Sequence, residues 1–168
     1  MIAKATEEEL QEIRTKSADA LFEGTMKQFH PSAERVNELV GSAFEKGCYY
    51  LVSRQENKLA GWVLIGPSTD FFSKEEIGFI YELYVVPEYR GQGLAKPLMQ
   101  KAIDELSIKG YPEIRLSVHA GNFVQHVYRE LGFVDKQISM SFQVVKRETS
   151  VTLVNVSESI KHKMLYMR

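Results

Sequence analysis

Residues 77–86 are apolar or aromatic almost throughout, with Glu82 as the exception inside the run. A strand without a polar face has to be covered on both sides, so this one belongs in the middle of a sheet. Pro87 ends it, Gly91 and Gly93 follow, and then Leu94, Leu98, Ala102 and Leu106 recur every four residues with Met99 and Ile103 beside them. That is an amphipathic helix, closed by Gly110 and Pro112. Residues 113–118 return to a β-rich pattern. A strand, a helix and a strand of these lengths make a crossover unit, whose two strands are expected to be parallel neighbours.

The rest of the chain is arranged around that unit. A short strand is expected at residues 2–5, and Thr6 with Glu9 makes a capping box for a helix to about residue 22 that carries Leu10, Ile13 and Leu21. His30, Pro31 and Ser32 open a second helix with Val36, Leu39, Val40 and Phe44 on one face, stopped at Gly47. Residues 48–53 and 59–65 are β-rich and separated by a polar stretch, which predicts a hairpin, with Gly66 and Pro67 ending its second strand. Asn122 is placed to cap a short helix carrying Phe123, Val127 and Leu131, with Gly132 after it, and residues 133–145 predict a final strand. The sum is a mixed α/β fold, helices against one sheet.

The chain has 168 residues with no internal repeat or low-complexity linker, the size of one domain with an ample core. We expect residues 1–146 to be that domain and residues 147–168 to be an extension. In it, alternation over 151–156 suggests a strand and Ile160, Met164 and Met167 suggest a helix face, packing on the domain or on a dimer partner. With 21 basic and 22 acidic residues the chain lacks the footprint of a general nucleic-acid binder. No apolar run approaches the roughly 18 residues of a membrane span, and the N-terminus turns acidic where a signal peptide would turn apolar. One cysteine, Cys48, excludes an internal disulfide, so a cytoplasmic location is expected. His119 and His126 have no carboxylate or cysteine at a metal-binding spacing, and no metal site is expected.

The strand, glycine turn and helix carry the sharpest chemical signal. Such a junction offers free backbone N–H groups and the positive end of a helix to an anion, and Arg90 adds a charged fork beside them. Pro97 lacks an N–H and is best tolerated in the first turn, so the helix should begin near Gly93 or Leu94. Lys96 stands where a dinucleotide-binding fingerprint needs Gly or Ala, and no GxxxxGK[ST] is present. On the residues alone, an anion site and an ordinary tight turn both remain open.

Arg90, Gly93 and Ala95 match the central signature of the GNAT superfamily of acyl-CoA-dependent N-acyltransferases: Arg or Gln, two residues, Gly, one residue, then Gly or Ala. The resemblance runs upstream through residues 83–89 and downstream to Tyr128, Gly132 and Phe133, covering about residues 50–140 in the right element order. It implies a mostly antiparallel sheet with a splayed parallel strand pair. It also implies that Arg90, Gly91, Gln92, Gly93, Leu94 and Ala95 hold the coenzyme A pyrophosphate, while Tyr84 and Val85 meet the pantetheine arm. Acetyl-CoA is then the co-substrate and a small-molecule or peptide amine the acceptor.

Acyl transfer to an amine has two proton problems: an ammonium must lose a proton before it attacks, and the leaving thiolate must gain one. Glu82, in an apolar strand, should have its pKa raised toward a base's range, or it is a structural carboxylate paired with Arg or Lys. Tyr128 matches the family tyrosine that protonates the sulfur; the alternative is a core tyrosine. The family often has Asn seven residues before this tyrosine, whereas Gly121 holds that place here and Asn122 follows. Asn122 therefore either contacts the coenzyme or caps the next helix. On the acceptor side, residues 22–32 and 67–76 are expected, with Phe71, Phe72, Glu75 and Glu76 either cradling a partly apolar cation or forming a solvated loop with a hydrophobic anchor. The enzyme reading competes with a non-catalytic acyl-CoA-binding module and with a partner-binding scaffold on the same fold.

Overall fold

The computed structural model describes residues 1–144. Met1–Val134 forms one compact unit, and Asp135 begins a second. The first contains β1 (Ile2–Lys4), α1 (Glu7–Gly24), α2 (Ala33–Glu45), β2 (Tyr49–Gln55), β3 (Lys58–Thr69) and β4 (Glu76–Val85). A 3-10 turn (Pro87–Tyr89), α3 (Ala95–Ile108), β5 (Ile114–Leu116) and α4 (Gln125–Glu130) follow. The strands lie in the order β1-β2-β3-β4-β5, antiparallel except for the parallel pair β4 and β5. This is the mixed sheet with flanking helices that the sequence predicts.

Local chemistry explains the helix starts. Thr6 and Glu9 form the reciprocal capping box, and Ser32 accepts from the Arg35 N–H at 3.2 Å at the head of α2. The sheet is buried on both faces. Ile13, Val36, Val40, Tyr50, Val52, Trp62, Leu64 and Tyr84 join α1 and α2 to one face. Leu51, Val63, Ile65, Ile80, Leu98, Met99, Ala102 and Leu106 join α3 to the other. Alternate residues of β2 and β3 thus serve two separate cores, which is why these strands read as continuous apolar runs.

Two expectations change. Pro67 does not end β3, which runs on to Thr69; β2 stops pairing at Ile65, so Pro67 lies where one edge of β3 has no partner strand and a missing N–H costs nothing. Residues 133–144 pair with none of the described strands, and Val145, the end of the expected strand, lies outside the described residues. Finally α4 starts at Gln125, with Asn122 Oδ1 accepting from the Val124 N–H at 3.1 Å in a turn ahead of it. The boundary at residue 146 and the extension at 147–168 lie outside the described residues.

A bulge in β4 orients the site. Leu64 pairs with Glu82 and the next residue, Ile65, pairs with Ile80, so Tyr81 is extra on the β4 side. In a regular strand Ile80 and Glu82 would share a face. Here Ile80 packs in the α3 core while Glu82 faces the α1 and α2 side with Leu64 and Tyr84.

Candidate active site

The parallel pairing of β4 and β5 runs only from Gly78–Ile114 to Ile80–Leu116. Beyond it β4 continues for five more residues to Val85, bonded to β3 alone, so its β5-facing edge has no strand partner over that stretch. Polar backbone along such an edge is a ladder in want of a partner.

Glu82 lies within this stretch. The residue is half-buried, yet its carboxylate reaches inward: Trp62 donates its indole N–H to Oε1 at 2.8 Å, and Tyr50 places its hydroxyl 3.4 Å from Oε2. Burial pushes the Glu82 pKa up to about 7, against the opposing pull of these two donors. Both donors are neutral, and among the described residues the carboxylate has no Arg or Lys counter-ion.

Tyr128 of α4 packs against the α3 core, its ring edge-on to Phe133 at 6.2 Å. Burial raises its pKa to about 12, so the phenol keeps its proton at neutral pH. Its hydroxyl donates to no described residue. Glu82 and Tyr128 therefore approach the sheet from opposite faces, with the unpaired edge of β4 lying between those faces.

At the end of β4 the turn takes the shape its glycines permit. Gly91 and Gly93 have φ of 76° and 74°, the left-handed region, and a Cβ at either would meet nothing within 4 Å. The requirement for glycine is conformational, and the space in front of both stays open. Among the described residues the amides of Gln92, Gly93, Leu94 and Ala95 have no acceptor, and α3 begins at Ala95, one or two residues later than the position of Pro97 predicts. Open space, unclaimed donors and a helix start together fit an anionic group such as a pyrophosphate.

Arg90 lies over the Tyr84 ring at 5.3 Å, donates from Nε to the Val85 carbonyl at 2.9 Å, and pairs with Glu23 of α1 at 2.8 Å. One polar group of Val85 is thus already used by the chain itself. Asn122 reaches the same neighbourhood, its Nδ2 lying 3.5 Å from the Gly24 carbonyl. The C-terminal end of α1 consequently borders Arg90 and Asn122. The segment 67–76 does not: Asp70, Phe71 and Phe72 sit at the β3–β4 loop, and Glu82 lies six residues along β4 from Glu76, about 20 Å at strand spacing. Arg115 of β5, which pairs with Phe79 of β4, ties Asp70 of that loop to the sheet, and Phe71 and Phe72 beside it are exposed.

The profile of the acetyltransferase (GNAT) family matches residues 8–133, which takes in every element from α1 to α4. The chain belongs to this family. As a GNAT protein it is 33% identical over 76 residues to an uncharacterized N-acetyltransferase of Methanocaldococcus jannaschii, covering 44% of this chain and 34% of that one. It is 40% identical over 57 residues to N-alpha-acetyltransferase 30 of Schizosaccharomyces pombe, covering 33% and 38%. The matched stretches span less than half of these relatives' lengths. Among solved structures, a Pyrococcus furiosus protein assigned as an acetyl transferase superposes with a TM-score of 0.69 at 25% identity, covering 86% of this chain and 99% of that one. A soil metagenomic aminoglycoside acetyltransferase shares the fold, with a TM-score of 0.62 at 23% identity over 87% and 96% of the two chains.

Within this GNAT fold, Trp62, Tyr50 and Glu23 are site neighbours that sequence reading did not find. Trp62 and Tyr50 lie 20 and 32 residues from Glu82, and only the sheet register brings them together. A cavity of about 700 Å³ lies between the start of α1, the β2–β3 hairpin and the 3-10 turn. Its central charges, Glu9 and Arg54, already satisfy each other at 2.6 Å, and none of the transfer residues lines it. Among the described residues no group of His, Cys, Asp and Glu could hold a metal ion, and no helix is long and apolar enough to cross a membrane.

Proposed function

We propose that the chain is an N-acetyltransferase that passes an acetyl group from acetyl-CoA directly to a primary amine. The observation that carries this reading is Glu82: a carboxylate beside the split between β4 and β5, held by neutral donors, with a pKa raised to about 7 by burial. Such a group is ionised often enough at neutral pH to accept a proton and basic enough to hold it. Bound acetyl-CoA supplies a thioester whose carbonyl carbon is open to attack.

The residues of the chain do the rest. Amides of residues 92–95 and the Arg90 guanidinium receive the pyrophosphate, and the unpaired edge of β4 at Tyr84 and Val85 meets the amides of the pantetheine arm. Asn122 borders that site beside Gly24. Glu82 takes one proton from the acceptor's ammonium, leaving the nitrogen lone pair free to form the new C–N bond. As the C–S bond breaks, its electron pair leaves with sulfur and Tyr128 gives the sulfur its phenolic proton, while the acylated nitrogen sheds its second proton, which restores the Tyr128 phenol. Holding both reactants in one cleft makes the attack effectively unimolecular.

The acceptor is a small-molecule or peptide amine, approached from the α1–α2 connection. The fold shared with an aminoglycoside acetyltransferase is what supports this choice of acceptor class. We assign a cytoplasmic setting, in which the lone buried thiol of Cys48 stays reduced. A non-catalytic acyl-CoA-binding module would favour a Glu82 locked to a basic residue, and its partners here are Trp62 and Tyr50.

Calorimetric titration with acetyl-CoA, using free CoA and ATP as comparisons, tests the cleft; saturable acetyl-CoA binding with ATP much weaker is expected. A screen of amines for acceptor-dependent thiol release then tests transfer. Glu82→Gln should retain acetyl-CoA binding and lose on the order of 100-fold or more in rate. Absence of binding at millimolar acetyl-CoA would overturn the reading.

A further inference from the structure

The row of residues across the sheet at Glu82 is unusual in its polarity. Tyr50 of β2 pairs with Leu64 of β3, and Leu64 pairs with Glu82 of β4, so the phenol reaches over Leu64 to the carboxylate. Trp62 sits two pairs along on the same face, opposite Tyr84, with its ring 4.6 Å from the Tyr84 ring and its N–H turned diagonally onto Glu82. Trp62 is 0% exposed and Tyr50 2%. An apolar ring would fill either slot without burying a donor, and a buried N–H or O–H is costly unless it is used.

The two donors are unequal. The indole bond to Oε1, at 2.8 Å, has full strength, whereas the phenol contact with Oε2, at 3.4 Å, is at the outer edge of hydrogen bonding. The phenol also meets Ser17 of α1, whose hydroxyl donates to the Ile13 carbonyl at 2.8 Å, and it feels Arg14 of the same helix. The groups facing Glu82 are thus Tyr50 from β2 and Trp62 from β3, with Ser17 and Arg14 acting through Tyr50.

We propose that Trp62 and Tyr50 are positioning residues for Glu82, the indole pinning Oε1 so that the loosely held Oε2 is the oxygen that takes the acceptor's proton. This rests on the reading of Glu82 as the base. The ammonium N–H bond breaks, its electron pair stays on nitrogen, and the proton passes to Oε2. A fixed carboxylate needs no reorganisation when that transfer occurs. The donors also favour the ionised form, so they set how far burial can raise the carboxyl.

The test is a pH titration of the Glu82 carboxyl by NMR in the full chain carrying 13C-labelled glutamate, with the signal assigned by its loss in Glu82→Gln. It is repeated for Trp62→Phe and Tyr50→Phe, alongside pH profiles of kcat/KM for amine acetylation. Losing the indole donor should move the Glu82 midpoint upward by about one pH unit or more, and losing the phenol should move it less. The acid limb of kcat/KM should follow, with KM for acetyl-CoA unchanged. Should Trp62→Phe fail to fold, replacement of Trp62 by benzothienylalanine, which has sulfur in place of the N–H, keeps the shape and carries the test. Midpoints that stay at the wild-type value in folded variants would overturn the positioning role. A midpoint that moves while the rate profile does not would instead overturn Glu82 as base.

Discussion

At the scale of single residues, the base role proposed for Glu82 comes with a cost in stability. Its carboxyl moves from an ordinary value of 4.5 to about 7 on folding, so between those pH values the folded state holds a proton the unfolded chain has released. Stability conferred by that proton is full below pH 4.5, declines as pH rises, and is gone above about 7. The burden at pH 8 is roughly 3 kcal/mol from 2.5 pH units at 1.36 kcal/mol each, taking 7 minus 4.5. Glu82→Gln, which keeps an acceptor for the Trp62 N–H, should therefore melt higher than wild type at pH 8 and show little difference at pH 4, while losing transfer. Thermal melts at the two pH values check this. Wild-type kcat/KM should rise through pH 7 as Glu82 ionises. Tyr128, with a pKa raised to about 12, stays protonated across that range; Tyr128→Phe should lower the rate of acetyl transfer about 10-fold to 100-fold at unchanged acetyl-CoA affinity. Single-turnover kinetics separates the two effects.

At the scale of elements, the glycine turn and the β3–β4 ladder make distinct predictions. Gly93 has φ of 74° with open space around it, so Gly93→Ala should cost about 1–2 kcal/mol of backbone strain. It should weaken acetyl-CoA binding further, because the new methyl group stands where the amides of the turn face a ligand. Calorimetry and denaturant melts on the same variant read both quantities. Gly61 differs: a Cβ there would stand 2.7 Å from the Tyr84 carbonyl and 3.3 Å from Leu98 Cδ1. Gly61→Ala should cost about 1–3 kcal/mol through overpacking between β3, β4 and α3, measured by denaturant unfolding. These elements were largely legible in the sequence, since caps, glycine stops and four-residue spacing are local signals. Where the reading failed, at Pro67, the outcome depended on whether a neighbouring strand was present, which no local pattern records.

At the scale of the whole molecule, the sheet separates two cores, and the site lies where the sheet itself opens. Glu23 and Arg90 join α1 to the glycine turn across the chain, at 2.8 Å with each side chain about 40% exposed. Glu23→Ala should change stability by less than about 1 kcal/mol, as exposed pairs do, which chemical denaturation can check. The extension at residues 147–168, which the sequence suggests packs on the domain or on a second copy, calls for truncation at Glu148. Loss of Tm or a change in size by ultracentrifugation is the expected outcome, and a chain unchanged in both would remove that role.

The amino-acid sequence by itself determined the order of elements, the helix caps, the glycine turn with Arg90 beside it, and the presence of one carboxylate in an apolar strand. Each is written in neighbours a few residues apart, within reach of backbone sterics and helical or strand periodicity. Only the tertiary structure decided what Glu82 is. A single extra residue in β4 turns it away from the face of Ile80, and the register of three strands delivers Trp62 and Tyr50 from 20 and 32 residues away. Side-chain direction reverses with every residue of a strand, so a one-residue bulge changes which core a carboxylate enters, and that choice sets its donors and its desolvation.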